Sequence, residues 1–475
     1  MNNKIKPSMI AASLAIATLL GACNDEIEMR RPPKVELPDL PVVEDIHTYK
    51  APLYWSVYEY CYELELQGVS NSDMDITSEE WDKIINWVAT DLKPYGYDMI
   101  CTDGFIPMLA QDNSGYMTHY GSMSLKDLVA KCKAKGLKVG VYDNPLWIHG
   151  SDAVKIEGTD YTFGSLRYNG ADPVTHPTTD DRWFNWAIVT HPGAQEFIDG
   201  FFRHYSELGI DYIRMDFLSW YEDGMDRNMG LVGRGYGREV YARALNYIAE
   251  SAKKYGIFTS LVMPHLYNDA EVEAQYGNMI RIVADTGGGG WWHCSAQDRG
   301  KSYANWPNCM NMFDGFTFWS HLSGRNKVIL DGDFIRLNKF STDAEKETVV
   351  SLQLMAGGPV TVADQYHNIG DNLKFYTNSE LLALNEDRFV GHPLSDKLNN
   401  TDNQIWYGEM SNGDYVVGIF NRDDSPRSVT VEFSKLGIDG ERKIRDLWRH
   451  ADEGSASSVT ATIVAHGCKI IRLSK

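Results

Sequence analysis

Several short apolar runs in the first 333 residues of the chain end on a carboxylate or lie just before one. An ionised carboxylate is costly to bury without a partner, so packing alone seldom places one at the end of a buried strand. Any one of them could cap the helix that follows, but a repeated position indicates a shared site. The residues are Asp103, Asp143, Asp216, Asp285 and Asp331, with Asp333 two positions beyond the last.

Carbohydrate chemistry fits these carboxylates better than metal binding does. Aromatic residues lie near them in the sequence, and the histidines lack the spacing of metal ligands, so we expect no metal and no other cofactor. Glycoside hydrolysis uses two carboxyl groups, one ionised to attack the anomeric carbon and one protonated to assist the leaving oxygen. The expected partner is therefore a carbohydrate substrate.

The elements that position the carboxylates alternate along the chain. Between Leu53 and Ala363, short apolar runs alternate with amphipathic stretches such as 78–92 and 193–208, which is typical of a parallel sheet with helical crossovers. Eight such runs predict an α/β fold, a (β/α)8 TIM barrel. The predicted strands are 54–58, 99–103, 138–143, 212–216, 258–263, 281–285, 328–331 and 359–363.

Two segments depart from this alternation. Residues 147–186 form an insertion rich in Trp, Tyr, Thr and Pro, and we expect it to lie over the strand ends and shape the substrate site. After about residue 393 the pattern changes to short alternating runs broken by Asn-Gly and Asp-Gly, which predicts an antiparallel β-sandwich. We therefore assign 51–392 to the catalytic barrel and 393–475 to a C-terminal domain.

The N-terminus has the features of an exported lipoprotein. Residues 1–22 combine a basic start with an apolar stretch too short to span a membrane. They end at Cys23, whose thiol is the expected lipidation site, and 23–50 is the expected flexible tether. Acidic residues after Cys23 resemble the surface-export signal of Bacteroidetes lipoproteins, which implies a lipid anchor in the outer membrane, facing the cell surface or the periplasm.

The net charge limits the class of partner. The formal charge is −20 and becomes −22 once Lys4 and Lys6 are removed with the signal sequence. Such acidity argues against nucleic acid as a partner.

Together these runs resemble clan D glycoside hydrolases, specifically family 27, the α-galactosidases. The resemblance spans nearly all of the chain after residue 50 and depends on the order and spacing of several runs. They are 211–217 (Asp-Tyr-Ile-Arg-Met-Asp-Phe), 281–285 (Arg-Ile-Val-Ala-Asp), 331–333 (Asp-Gly-Asp), 352–387, 417–422, 445–450 and 466–467.

The resemblance implies roles for individual residues. It makes Asp216 the nucleophile and Asp285 the acid/base, with Arg281 binding both the sugar and the acid. Such a pair implies retention of configuration, with the two carboxyl groups about 5 to 6 Å apart. Arg214 is expected to keep Asp216 ionised by lowering its pKa. The remaining residues implied in the sugar pocket are Asp103, Tyr142, Arg214 and Asp333, with Trp55 or Tyr58 as a stacking wall.

Three departures from the family pattern leave the sugar open. Gly104 replaces a second acid, Arg214 replaces a lysine, and Val262 and Met263 occupy the loop that normally reads the sugar 2-hydroxyl. The family favours terminal α-galactosides. The alternatives are a β-L-arabinopyranoside, an α-N-acetylgalactosaminide, an isomaltose-releasing activity on α-glucans, or a non-catalytic glycan-binding protein. A disulfide between Cys294 and Cys309 is also left open.

Overall fold

The computed structural model describes residues 37–167, 184–226, 229–285, 289–295 and 309–475. The predicted signal sequence, Cys23 and the first part of the tether lie outside these ranges, as does the middle of the 147–186 insertion. Within the described ranges, no helix combines the length and the apolar character needed to cross a membrane.

Eight parallel strands form the N-terminal sheet, which confirms the predicted TIM barrel. The strands are β1 Leu53–Ser56, β2 Met99–Cys101, β3 Lys138–Tyr142, β4 Tyr212–Met215, β5 Phe258–Leu261, β6 Met279–Arg281, β7 Ile329–Asp331 and β8 Val360–Val362. Their order is β7-β6-β5-β4-β3-β2-β1-β8, and Ile335 continues the ladder from the end of β7 to Val362 of β8.

Helices follow the strands, as the alternation predicts. Gly209 and Gly256 end two of the long ones with positive φ angles of 88° and 71°, a conformation that glycine adopts without steric cost. The helices are α1 Tyr58–Leu66, α2 Ser78–Trp87, α3 Leu125–Ala134, α4 Phe163–Arg167, α5 Ala194–Leu208, α6 Leu218–Asp223, α7 Arg238–Tyr255, α8 Tyr267–Tyr276, α9 Gly290–Ser295, α10 Met312–Trp319, α11 Asp343–Met355, α12 Leu373–Tyr376 and α13 Ser379–Glu386.

The two faces of β1 separate the two apolar layers of the barrel. Tyr54 belongs to the small cluster inside the barrel, together with Tyr212 and Met279. Trp55 points the other way and packs edge-on against Trp81, with 6.5 Å between the ring centroids. Because neighbouring side chains on a strand alternate between its faces, Trp55 lies among the surrounding helices.

The sixth strand ends earlier than predicted. We expected it over 281–285, but it spans Met279–Arg281, and its pairing with β7 stops where Arg281 meets Asp331. Asp285 therefore lies in the loop four residues beyond the strand, and its side chain is 63% exposed.

The C-terminal region is an antiparallel β-sandwich. Its strands are β9 His392–Pro393, β10 Ile405–Glu409, β11 Tyr415–Phe420, β12 Arg427–Glu432, β13 Arg442–Asp446, β14 Ala451–Ala456, β15 Ser458–Ile463 and β16 Cys468–Ser474. A six-stranded sheet of order β9-β10-β11-β16-β13-β14 packs on the β12-β15 pair, with Val417, Val431 and Ile471 in the core between them. The sequence did not predict β14, because its residues are polar or small and do not alternate.

Candidate active site

An open cleft of about 610 Å³ lies at the carboxyl ends of the barrel strands. Substrate sites of such barrels form on this face. Most of the sequence-predicted site residues line it: Tyr58, Asp103, Tyr142, Arg214, Asp216, Arg281 and Asp285.

Asp216 directly follows β4 and is held from three directions. The Tyr142 hydroxyl donates to its Oδ2 at 2.9 Å, and the Phe217 backbone N–H donates to its Oδ1 at 2.7 Å. The Asn144 side-chain amide donates to its main-chain carbonyl at 2.8 Å. Phe217 has a left-handed φ of 63°, which is uncommon for a bulky residue and is often found at functional sites. These contacts fix both the backbone and the carboxylate of Asp216.

The pKa of Asp216 does not follow the sequence-based expectation. Burial raises it above the ordinary aspartate value, and the negative charge of Asp285 raises it further. Arg214 lowers the pKa of Asp216, as predicted, but only in part offsets the burial. The expected net lowering is therefore wrong, because removing the carboxylate from water outweighs the Phe217 hydrogen bond and the positive charges of Arg214 and Arg281.

Asp285 faces the same cleft and is held by Arg281. Arg281 Nη2 lies 2.7 Å from Asp285 Oδ1 and 2.8 Å from Asp333 Oδ2. Asp333 also accepts from Arg214 at 3.0 Å and is fully buried. Asp333 therefore lies beneath the cleft between two arginines. The predicted direct contact of Asp333 with the sugar is corrected to a contact with the residues that line the pocket.

Asp103 is a buried carboxyl group at the end of β2. Its side chain is in the cleft wall although the residue is only 6% exposed. Burial raises the pKa of Asp103 to about 7, and the charges of Asp216 and Asp333 raise it while Arg214 lowers it. Near neutral pH this group can therefore both donate a hydrogen bond and accept one.

Gly104 has a steric reason to lack a side chain. A Cβ added there would lie 2.6 Å from Cε1 of Tyr142, closer than real Cβ contacts come. The glycine that replaces the family's second acid therefore leaves room for the ring of Tyr142, whose hydroxyl contacts Asp216.

Aromatic side chains form one wall of the cleft. Trp147 and Phe184 stack with 4.4 Å between their centroids and 9° between their planes, and Phe217 and Trp220 lie 4.4 Å apart beside them. All four line the cleft. Trp147 and Phe184 belong to the described ends of the 147–186 insertion, whose residues 168–183 lie outside the description.

Tyr58 forms part of the opposite wall. Its ring packs at 5.0 Å from Phe105 and 3.7 Å from Phe334. Trp55, the other candidate for a stacking wall, is excluded. It has no exposed surface, and its Nε1 donates to the Asp364 carbonyl at 3.0 Å.

Sequence reasoning missed several residues of this site. Asn144 directly follows the Asp143 strand end, a signal that could have identified it. Phe217, Met263 and Phe105 line the cleft because of left-handed or loop backbone, which no spacing rule indicates.

Neither metal ligands nor disulfides occur among the described residues. No group of three or more His, Cys, Asp or Glu side chains there could hold a metal ion. Cys294 and Cys309 are both buried, and both are free thiols.

Two sequence comparisons fit the fold and the cleft. Residues 400–473 match the family model of the alpha galactosidase C-terminal beta sandwich domain. The chain is 38% identical over 440 residues to an isomalto-dextranase of Arthrobacter globiformis, covering 89% of this chain and 67% of that protein. It is 23% identical over 406 residues to an alpha-galactosidase of Oryza sativa subsp. japonica, covering 83% and 79% respectively.

Solved structures show the same architecture. The isomalto-dextranase of Arthrobacter globiformis T6 complexed with panose superimposes with a TM-score of 0.80 at 35% identity, covering 94% of this chain and 76% of that one. A GH27 β-L-arabinopyranosidase from Geobacillus stearothermophilus gives a TM-score of 0.67 at 18% identity, covering 90% and 96%. The second similarity concerns the fold alone.

Proposed function

Because the chain belongs to glycoside hydrolase family 27, we propose that it releases isomaltose from the ends of α-1,6-linked glucans by a retaining mechanism. The observation that carries the choice of substrate is the 38% identity over 440 residues to an isomalto-dextranase. The identity to the rice alpha-galactosidase is 23%. Glycoside hydrolysis follows from the family, whereas the sugar is our proposal.

The shape of the cleft supports a disaccharide product. The aromatic wall of Trp147, Phe184, Phe217 and Trp220 lines the same cleft as Asp103, Asp216 and Asp285. A cleft of about 610 Å³ lies within the range of roughly 300–1,000 Å³ that encloses ligands well above the size of a monosaccharide. We propose that one glucosyl unit binds at the carboxylates and the next against this wall.

The proposed reaction has two displacements, in which Asp216 is the nucleophile and Asp285 is first the general acid and then the general base. An Asp216 oxygen bonds to the anomeric carbon while the bond to the leaving oxygen breaks, and the Asp285 proton passes to that oxygen. A water molecule then gives its proton to Asp285, its oxygen bonds to the anomeric carbon, and the Asp216 carboxylate is released. Two displacements retain the configuration. The carboxyl separation of about 5 to 6 Å that retention requires stays a prediction.

Three further side chains are proposed to hold the sugar and the reacting groups. Asp103, with a pKa of about 7, would exchange hydrogen bonds with a pair of sugar hydroxyls. Tyr142 donates to Asp216 and thereby favours its ionised form. Arg281 orients Asp285 through their 2.7 Å contact.

Terminal α-galactosides, favoured by the sequence, remain the second candidate. The C-terminal match to an alpha galactosidase domain is the observation in their favour. Against them, the identity to the rice alpha-galactosidase is 23%, whereas the identity to the isomalto-dextranase is 38%. A non-catalytic glycan-binding role is the third candidate, and the presence of both Asp216 and Asp285 argues against it.

We also propose that the protein is exported and attached by Cys23 to the outer membrane. The support is the sequence of residues 1–28 alone. Replacing Cys23 by serine should move the protein from the detergent phase to the aqueous phase in a Triton X-114 partition. Detergent partition of both forms alike would contradict the anchor.

The test of the activity uses the chain from residue 24 onward. Dextran and an aryl α-galactoside are offered separately, the products are separated by chromatography, and the anomer formed first is read by NMR. We expect isomaltose in its α form from dextran, and a loss of roughly 10³-fold or more with Asp216→Asn. Release of galactose from the aryl α-galactoside without isomaltose from dextran would favour α-galactoside hydrolysis. Binding of both substrates without turnover would favour the non-catalytic glycan-binding role.

A further inference from the structure

Arg422 extends from the β-sandwich into the barrel. It follows β11, and its side chain is 2% exposed. Its Nε donates to Ser295 Oγ at 2.7 Å, and its Nη2 donates to the Ser295 carbonyl at 2.9 Å. Its Nη1 lies 2.6 Å from Asp314 Oδ1. The guanidinium also lies over the ring of Phe313, 4.5 Å from its centroid.

Both residues that hydrogen-bond to the Arg422 side chain follow Asp285 in the chain. Ser295 ends α9, and Asp314 lies in the first turn of α10. The Asn311 side chain accepts from the Asp314 backbone N–H at 2.8 Å and caps α10. One side chain of the sandwich therefore fixes two helices of the barrel loop that carries Asp285.

Helix α10 presses directly on the backbone that leads to Asp285. A Cβ added to Gly315 would lie 3.3 Å from the Ile282 carbonyl oxygen and 3.6 Å from Val283 Cβ. The Ala284 backbone N–H donates to the Cys309 carbonyl at 3.0 Å. Residues 282–284 are thus held by the start of α10, which Arg422 holds in turn.

Asp285 depends on this backbone support more than a buried residue would. Its side chain is 63% exposed, so packing contributes little to its orientation. Trp291 on α9 gives a second contact to the sandwich, stacking on His466 with 4.2 Å between the ring centroids. The loop that carries the exposed carboxylate is therefore supported from the other domain at two places.

We propose that Arg422 is a positioning residue for the acid/base, through which the β-sandwich holds Asp285 at the distance from the leaving oxygen that proton transfer requires. This inference depends on the proposed function and the role given there to Asp285. The C-terminal domain would thereby take part in the reaction although none of its residues lines the cleft.

The leaving group separates this role from simple stability. In the first displacement the bond between the anomeric carbon and the leaving oxygen breaks, and the Asp285 proton goes to that oxygen. A sugar alkoxide is a poor leaving group and needs the proton, whereas 4-nitrophenolate leaves with little help. Loss of acid positioning therefore slows isomaltotriose far more than 4-nitrophenyl α-isomaltoside, whereas partial unfolding slows both equally.

The test compares both substrates in the full chain carrying Arg422→Met. We expect kcat/KM for isomaltotriose to fall roughly 10- to 100-fold, part of what a general acid contributes, and to stay within about 3-fold for the nitrophenyl substrate. Asp285→Asn should show the same selectivity more strongly. Asp314→Asn keeps the bonds to Ser295 and serves as the milder variant if Arg422→Met fails to fold.

Arg445→Met is the matched control. Arg445 pairs with Glu380 of α13 across the same domain boundary, 2.6 Å apart, and α13 contributes no residue to the cleft. This control should not change the ratio of the two activities. Equal losses on both substrates in Arg422→Met and Asp314→Asn, with an active wild type, would overturn the inference alone. A wild type inactive on both substrates would overturn the proposed function and the inference together.

Discussion

Replacing Asp103 by asparagine should stabilise the protein at alkaline pH while weakening its activity. The folded protein raises the pKa of Asp103 to about 7 by burial, whereas an aspartate in an unfolded chain has a pKa near about 3.9. A raised pKa means that the folded state favours the protonated form. This contribution to stability is therefore fully present below pH of about 4 and is lost as the pH rises through about 7.

The size of the effect follows from the two pKa values. Each tenfold difference in acidity corresponds to about 1.4 kcal/mol, so full ionisation of Asp103 costs about 4 kcal/mol of folding free energy. Roughly 2 to 3 kcal/mol of this is lost between pH 5 and pH 8, because part of the cost is already present at pH 5. Solvent does little to reduce this cost, since Asp103 is only 6% exposed.

Urea unfolding followed by tryptophan fluorescence at pH 5 and pH 8 measures this difference. The wild type should lose roughly 2 to 3 kcal/mol more than Asp103→Asn over this range. Asp396→Asn, which removes an exposed carboxylate outside the cleft, should behave like the wild type. A wild type and an Asp103→Asn variant that lose stability in parallel would refute the reasoning. Activity provides the second readout. Above a pH of about 7 the ionised Asp103 carboxylate can accept hydrogen bonds from two sugar hydroxyls, whereas an asparagine amide has only one acceptor oxygen, so kcat/KM of the variant should fall there.

Three further substitutions test separate parts of the cleft. Tyr142→Phe removes a hydrogen bond that favours ionised Asp216, so the acid limb of the pH profile of kcat/KM should move to higher pH by about one unit. An unchanged acid limb would show that this hydrogen bond does not help to ionise Asp216. Trp220→Ala should raise KM for isomaltotriose about 10-fold, because it removes a face on which the second glucosyl unit stacks. KM for 4-nitrophenyl α-glucoside, which has only one glucosyl unit, should barely change. An equal rise in both KM values would place the second glucosyl unit elsewhere. Asn144→Ala should lower kcat on activated and unactivated substrates alike, roughly 10- to 100-fold, because it frees the backbone of Asp216; a loss selective for poor leaving groups would argue against this role.

The barrel and the position of Asp216 on its rim were predictable because each rests on a local pattern. Short apolar runs and amphipathic stretches alternate eight times, and the carboxyl ends of parallel strands meet on one rim. Asp216 and Asp103 end two of those runs, so they were expected to face each other. Both line the same cleft.

The errors arise where the sequence does not fix the register or the depth of burial. Tyr54 and Trp55 are adjacent and similar in chemistry, and only the pairing of β1 decides which of them faces the barrel interior. The net rise in the pKa of Asp216 depends on burial by distant segments. Arg422 and Asp314 are far apart in the sequence, and nothing local indicates that they meet.

Trapping of the glycosyl-enzyme intermediate tests the central claim most directly. A fluorinated α-isomaltosyl substrate, whose intermediate forms quickly and hydrolyses slowly, is added to the enzyme, and the labelled peptide is sequenced by mass spectrometry. We predict one isomaltosyl group attached to the Asp216 carboxylate, and no label in Asp216→Asn. A label on another carboxylate, or turnover with inversion and no covalent adduct, would contradict the account.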